Sequence, residues 1–333
     1  MRAAVAERLG APLVLKDLPV PQAGPGEIVL NVKACGVCYT DLRIVDSIGG
    51  AAIPLVPGHE PVGVVSQVGP GVTGIAVGDR VAVHALFGCG DCTYCRAGED
   101  EACVLGFSRL AGLGVPGGYA EYMRLPANRA VPLPDNLAFV DAAPFCCAGL
   151  TTYAGLKNGG LQAGQRVVIV GIGGLGHLAI PIARALGAEV YAATSSPDKA
   201  EAARTLGASF AGDVAAVAGA LAPKGGAHLV LHTANSLAPL VGLLRGMAKQ
   251  GTIVLTAADG DSLPIPPSMF TALQLRVVGS FFGSRKDLSE VLALAADHNI
   301  RPTVERFPLE DVNSAHERLR LNQVRYRAVL EIS

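Results

Sequence analysis

The chain has 333 residues, about twice the ~150 of an average domain, so two domains are expected and a single small module is excluded. Half of the residues are hydrophobic and only 17% are charged, which excludes disorder and supplies large apolar cores. Lys and Arg number 27 against 28 Asp and Glu, a formal charge of -1 that gives no attraction to nucleic acid or to an anionic membrane.

Glycine is abundant at 41 residues and Trp is absent, a composition suited to Val/Ala-rich parallel sheets with tight turns. Arg2, Glu7, Arg8, Lys16 and Asp17 interrupt any apolar leader, so a cytoplasmic protein is expected. From there to about residue 140 the chain reads as short β-segments punctuated by Gly and Pro: Ile28 to Ala34, Pro61 to Val68, Arg80 to Val83 and Ala120 to Leu125.

After Pro144 strand and helix signals alternate. Arg166 to Val170 is a β-branched run, Leu175 to Leu186 a helix closed by Gly187, and Val190 to Ala193 a second strand. Pro197 to Leu206 is a helix with Pro at its start and Gly207 at its end, and His228 to His232, Thr252 to Thr256 and Arg276 to Val278 supply further strands. Such alternation implies right-handed βαβ crossovers and a doubly wound parallel sheet. The charge-free stretch Gly225 to Leu244 is long enough to cross a bilayer but carries His, Thr, Asn, Ser and Pro, and reads as buried strand, loop and helix. The last fifty residues return to mixed structure, with helices over Asp287 to Asp297 and Ser314 to Leu321 and a strand over Ala328 to Ile332.

Eight cysteines in a chain without an export signal argue against a disulfide framework. Cys89, Cys92, Cys95 and Cys103 form C-x2-C-x2-C-x7-C in a loop rich in turn residues. Four thiolates so spaced reach one tetrahedral zinc at about 2.3 Å, with an iron-sulfur cluster as the rival metal. A closed four-thiolate site has no open position, so it would hold the loop together and leave catalysis elsewhere. Cys35, Cys38, Cys146 and Cys147 flank Pro57-Gly58-His59-Glu60-Pro61. One Cys from each pair plus His59 would give two thiolates and one imidazole, the open sphere of a catalytic zinc.

With these motifs the chain resembles the zinc-containing medium-chain alcohol dehydrogenases, near the cinnamyl alcohol dehydrogenase-like, NADP-preferring branch. The resemblance runs through Gly36-Val37-Cys38-Tyr39-Thr40-Asp41, Gly58-His59-Glu60, Ala143 to Gly149 and the four-cysteine lobe. It implies that Cys38, His59 and Cys147 hold a catalytic zinc with Glu60 beside it, and that Cys89, Cys92, Cys95 and Cys103 hold a structural zinc, two ions per chain. Cys35 and Cys146 are left as free thiols. Thr40 takes the place of the hydroxyl that passes a proton to solvent, and Asp41 that of the carboxylate orienting His59. Tyr39 and Arg43 depart from the family's pattern, and an arginine cannot end a proton relay near neutral pH. His84 is either a pocket-lining or a structural residue.

Gly171-Ile172-Gly173-Gly174-Leu175-Gly176 is a G-x-G-x-x-G fingerprint between a strand and a helix. Gly171 makes the turn, Gly173 lets the pyrophosphate approach, and Gly176 packs helix on strand. The bland alternative is a glycine-rich turn without ligand. Arg327 matches a family arginine that reaches the pyrophosphate, and Thr233, Ala257 and Phe281 are further candidates at the cofactor. The second strand ends in Thr194-Ser195-Ser196-Pro197-Asp198-Lys199 with no carboxylate at Thr194, so NADP(H) is favoured over NAD(H).

The fold class expected is α/β, a GroES-like β-rich catalytic domain of residues 1–148 and 282–333 around a Rossmann domain of residues 149–281. The implied reaction is hydride transfer between the nicotinamide cofactor and an alcohol, aldehyde or ketone. The alternatives are reduction of an activated C=C or C=N bond (enone or iminium reductase, with Tyr39 near the substrate) and a non-enzymatic dinucleotide-binding protein. The strand Arg276 to Gly279 matches a sheet edge that pairs between subunits, so a homodimer or homotetramer is expected, with no nucleic-acid or membrane partner.

Overall fold

A computed structural model describes residues 1–46, 52–257, 262–263 and 265–333. The chain divides into two compact units, Met1–Cys147 with Ser284–Ser333, and Ala148–Gly283.

The first unit begins with β1 (Arg2–Val5) and β2 (Val14–Asp17), an antiparallel pair. Then come β3 (Glu27–Val37), β4 (Glu60–Val68), β5 (Arg80–Val83), β6 (Tyr122–Pro126) and β7 (Ala130–Pro132). The sequence suggests that β3 ends at Ala34; it continues to Val37 because β4 pairs with it as far as Gly36 and β15 as far as Val37. This keeps Cys35 and Gly36 in the ladder despite the poor strand propensity of glycine.

The second unit holds β8 (Arg166–Val170), β9 (Glu189–Ala193), β10 (Phe210–Gly212), β11 (Ala227–His232), β12 (Met247–Leu255) and β13 (Arg276–Gly279). All pairs are parallel, in the spatial order β10-β9-β8-β11-β12-β13. This is the doubly wound order whose switch point lies between β8 and β11. Val168, Val170, Val230 and Ile253 of the strands pack with Leu240 and Leu243 of the helix Pro239–Leu243 in one core. The charge-free stretch thus resolves into β11, a turn and that short helix. Among the described residues no helix is long and apolar enough to cross a membrane. β10 carries no sequence signal, being three residues at the sheet edge.

The chain then re-enters the first unit with the helices Arg285–Asp297 and Val312–Arg320, β14 (Val304–Pro308) and β15 (Arg327–Glu331). The main sheet runs β14-β15-β3-β4-β5-β7, with β6 also on β3. β3 is its organising strand: Glu27–Asn31 pair with β6, Ala34–Val37 with β15, and β4 lines the opposite side. Because these neighbours are antiparallel to β3, the starts of β4 and β15 lie at its end. Gly36 faces Glu60, and Val37 faces Ala328, the residue after Arg327.

Behind this end Tyr119 is fully buried, and His316 of the helix Val312–Arg320 meets it edge-on at 5.8 Å between ring centres. His316 Nε2 lies 3.4 Å from the Tyr119 hydroxyl. Burial holds the His316 imidazole down to about 4, against 6.5 for an ordinary histidine, and only partial relief comes from Asp41 and Asp46. Below pH 6.5 the unfolded chain therefore takes up a proton that the folded site refuses. Stability falls as pH drops from 6.5 towards 4, by up to about 3 kcal/mol, and this contribution is constant above 6.5. His316→Gln is expected to flatten that part of the pH–stability curve, as read by urea unfolding between pH 7 and 4.5; an unchanged slope contradicts it.

Candidate active site and metal centres

The lobe after β5 brings Cys89, Cys92, Cys95 and Cys103 together with all four sulfurs within 4.8 Å of one another. Backbone N–H groups point at three of them: Cys92 N lies 3.3 Å from Cys89 Sγ, Cys95 N 3.4 Å from Cys92 Sγ, and Leu105 N 3.5 Å from Cys103 Sγ. Donors aimed at sulfur favour thiolate over thiol, and the Cys95 and Val104 amides draw the Cys92 thiol down to about 6. The knot of turns is made by the helix Thr93–Ala97, capped by the Cys92 sulfur and closed by left-handed Gly98. Asp100, beside the lobe, is held by a buried ion pair with Arg129. A zinc ion fits this all-sulfur donor set.

The second cluster forms where β3 ends. Cys38, His59, Glu60 and Cys147 are all buried, with one ligand atom each within 4.8 Å of the others. Asp41, on the first turn of the helix Tyr39–Asp46, accepts from Cys38 N at 2.9 Å through Oδ2 and lies 2.8 Å from His59 Nδ1 through Oδ1. That contact places the proton on Nδ1 and turns the Nε2 lone pair towards the sulfurs. Asp41 also raises the His59 imidazole well above its ordinary value, although burial works the other way. A hydrogen bond from Cys147, opposed by burial and helped by His59, keeps the Cys38 thiol well below the usual range. Two sulfurs and an imidazole nitrogen so arranged fit zinc.

Glu60 has no exposure. One of its oxygens is paired with Arg327, and Oε2 is buried without a hydrogen-bond partner. Burial pushes its carboxyl up to about 7 despite the facing guanidinium. Arg327, expected at the pyrophosphate, directs its guanidinium at Glu60 and is held charged by Glu60, Cys38 and Cys147 against the pull of burial.

The Thr40 hydroxyl is half-buried, 3.7 Å from Cys38 Sγ. Tyr39 donates to Asn322 Oδ1 at 2.8 Å and to the Leu319 carbonyl at 2.9 Å, which anchors its exposed ring to the end of the helix Val312–Arg320. Arg43 is exposed on its helix. His84 is fully buried, with Nδ1 3.1 Å from the Leu86 carbonyl. Cys35 and Cys146 are buried thiols outside both clusters, and burial raises the Cys146 thiol far above its ordinary value.

In the second unit the glycine loop follows β8 directly. Gly171 has φ +87, an ideal Cβ at Gly176 would overlap the Gly171 carbonyl, and the space where a Gly173 side chain would project is open. Ile172 is buried, whereas Gly174 and Leu175 are half-buried ahead of the helix Gly176–Ala185. The loop thus fits a dinucleotide pyrophosphate, with backbone free to approach it at Gly173. Thr233 Oγ1 lies 2.9 Å from the Val170 and 2.7 Å from the Gly171 carbonyl oxygen. At the end of β9, Thr194 Oγ1 accepts from Ser196 N, and Ser196 Oγ caps the next helix by accepting from Lys199 N. Ser195 and Lys199 are exposed, Ala257 is half-buried beyond β12, and Phe281 is exposed with its ring 6.1 Å from that of Phe282.

Residues 24–135 match the alcohol dehydrogenase GroES-like domain, and residues 174–297 the zinc-binding dehydrogenase domain. An alcohol dehydrogenase of Geobacillus stearothermophilus is 40% identical over 100% of both chains. The chain belongs to the zinc-containing medium-chain alcohol dehydrogenase family. Among solved structures, an NAD-dependent alcohol dehydrogenase superposes with a TM-score of 0.92 at 31% identity, covering 100% of both chains. A cobalt- and zinc-bound thermostable alcohol dehydrogenase from Pyrobaculum aerophilum gives 0.89 at 30% identity, covering 99% of each.

For this family member two residues at the cluster have roles that sequence reading passes over. Tyr119 packs its ring against Gly58, immediately before His59, and no motif marks it. Gly36 is present in the Gly-Val-Cys motif, but only the register explains it: an ideal Cβ there would overlap Glu60 Oε2, so the absent side chain is what seats the carboxylate. Gly36→Ala is expected to displace Glu60 and to lower stability by about 2 kcal/mol, read by urea unfolding. An alanine variant as stable as the parent would show that the carboxylate moves freely.

Proposed function

We propose that this zinc-dependent oxidoreductase of alcohols catalyses reversible hydride transfer between NADP(H) and an alcohol, aldehyde or ketone, with Cys38, His59 and Cys147 holding one zinc and the lobe cysteines a second. The observation that carries this reading is the buried Cys38–His59–Glu60–Cys147 constellation, whose histidine is oriented by Asp41 and whose carboxylate is neutralised by Arg327. A zinc ion bound there supplies Lewis acidity to an alcohol or carbonyl oxygen.

The chain's own residues do the rest. Cys38 and Cys147 bring two negative charges that offset a divalent cation, and Asp41 keeps His59 in the tautomer able to donate its Nε2 lone pair. A bound nicotinamide would supply the hydride acceptor for the alcohol carbon, and the Thr40 hydroxyl would pass the hydroxyl proton towards solvent; in reduction both would move in reverse. Arg327 pairs with Glu60 beside the donor set and works against the rise that burial imposes on its carboxyl. The unit Ala148–Gly283 binds the dinucleotide through Gly171 to Gly176, and the unit of both chain ends carries the metal chemistry. Preference for the 2′-phosphate is supported by the exposed Ser195 hydroxyl, the Lys199 ammonium and a strand end, Thr194, that lacks a carboxylate. A homo-oligomer is supported by β13, whose outer edge is unpaired among the described residues.

The deciding experiment assays aldehydes, ketones and enones with NADPH and NADH in parallel, on protein whose zinc is measured. Two zinc ions per chain, carbonyl reduction favouring NADPH, and about a 10²-fold drop in kcat for Thr40→Ala are expected. Reduction of an enone C=C bond that survives His59→Ala would overturn the carbonyl assignment, and a higher kcat/KM with NADH the cofactor preference. Light scattering is expected to show a dimer or tetramer; a concentration-independent monomer would remove the oligomer.

A further inference from the structure

At the switch point of the parallel sheet stands a histidine that the chemistry above does not use. His232 ends β11, is fully buried, and lies in register between Val170 of β8 and Leu255 of β12. Its Nδ1 is 3.1 Å from the carbonyl oxygen of Ala257, and its Nε2 is 2.8 Å from that of Ser236. The ring thus touches a carbonyl oxygen on each of two segments, the one after β11 and the one after β12, and a ring N–H can only donate to such an oxygen.

The backbone around His232 belongs to the same device. Its own carbonyl accepts from Thr256 Oγ1 at 2.8 Å and from Thr256 N at 3.2 Å. The next residue, Thr233, places its hydroxyl against the Val170 and Gly171 carbonyls where the glycine loop begins. In doubly wound sheets a dinucleotide lies across the carboxyl ends of the strands at this point. The segments after β11 and β12 have left the ladder there, so side-chain bonds must set their path.

We propose that His232 is a positioning residue for the dinucleotide: as a buried ring in contact with the Ser236 and Ala257 carbonyls, it clasps the two segments that frame the carboxyl edge of the sheet beside the glycine loop. The inference rests on the reading of this unit as the cofactor domain. It assigns His232 no contact with the reacting atoms. Its effect falls on cofactor binding and leaves the alcohol site alone.

The test uses the zinc-loaded full chain. Amide hydrogen exchange of the segments after β11 and β12, and dissociation constants for NADPH and NADH by fluorescence, are measured for the parent, His232→Leu and His232→Gln. The Leu variant should exchange faster in both segments and bind dinucleotide about tenfold more weakly, with zinc content and alcohol KM unchanged, and the Gln variant should fall between, since its amide keeps donors. A folded Leu variant that exchanges or binds dinucleotide as the parent does overturns the proposal. If the Leu variant fails to fold, the Gln variant decides. A parent protein that binds neither dinucleotide refutes the cofactor reading instead, and hydrogen exchange then decides the clasp alone.

Discussion

Charges buried at the end of β3 constrain the first unit more than any apolar contact does. Asp41, Glu60 and Arg327 are removed from water together with a histidine and two thiols, and an unpaired ion there would cost several kcal/mol. Each is answered by a neighbour: Asp41 by the Cys38 amide and His59, Glu60 by Arg327. The partners come from widely separated parts of the chain, so only the antiparallel register of β3 with β4 and β15 brings them together. Strand pairing in this unit therefore doubles as charge neutralisation, and a slip by one residue would leave Glu60 facing a side chain in place of Gly36.

The second unit solves a different problem with the same economy. The core of its sheet is apolar, and a set of polar side chains gathers at the carboxyl ends of β9, β11 and β12. Turns there expose backbone groups that must find partners. Thr233, Thr256, Ser196 and His232 all spend side-chain atoms on those groups. The glycine loop is thereby tied also to Thr233, 62 positions beyond Gly171 in sequence.

Much of this was legible in the residues, for physical reasons that differ from feature to feature. The cysteine lobe is local: four ligands fall within fifteen residues, so spacing alone carries the geometry. The glycine loop is local too, and its strand and helix flanks are strongly periodic. The cluster of Cys38, His59 and Cys147 required a family resemblance, because its members lie on separate segments and no spacing rule connects them. The pairing of Arg327 with Glu60, the seat at Gly36 and the double contact of His232 were not readable. Each is a property of register between distant strands or of loop ends in space, and a histidine closing a strand looks the same in sequence whatever faces its ring.

The position of β15 has a consequence for how the protein is made. Its residues Ala328 to Glu331 complete the flank of β3, and the cation that neutralises Glu60 stands at its first position. During synthesis the unit Ala148–Gly283 emerges whole while the first unit still lacks its last strand. Until β15 has been added, the unit holds a carboxylate with no counter-charge, and Ala34–Val37 of β3 lack their pairing on one flank. A chain without β15 would leave both faults at the heart of the metal cluster.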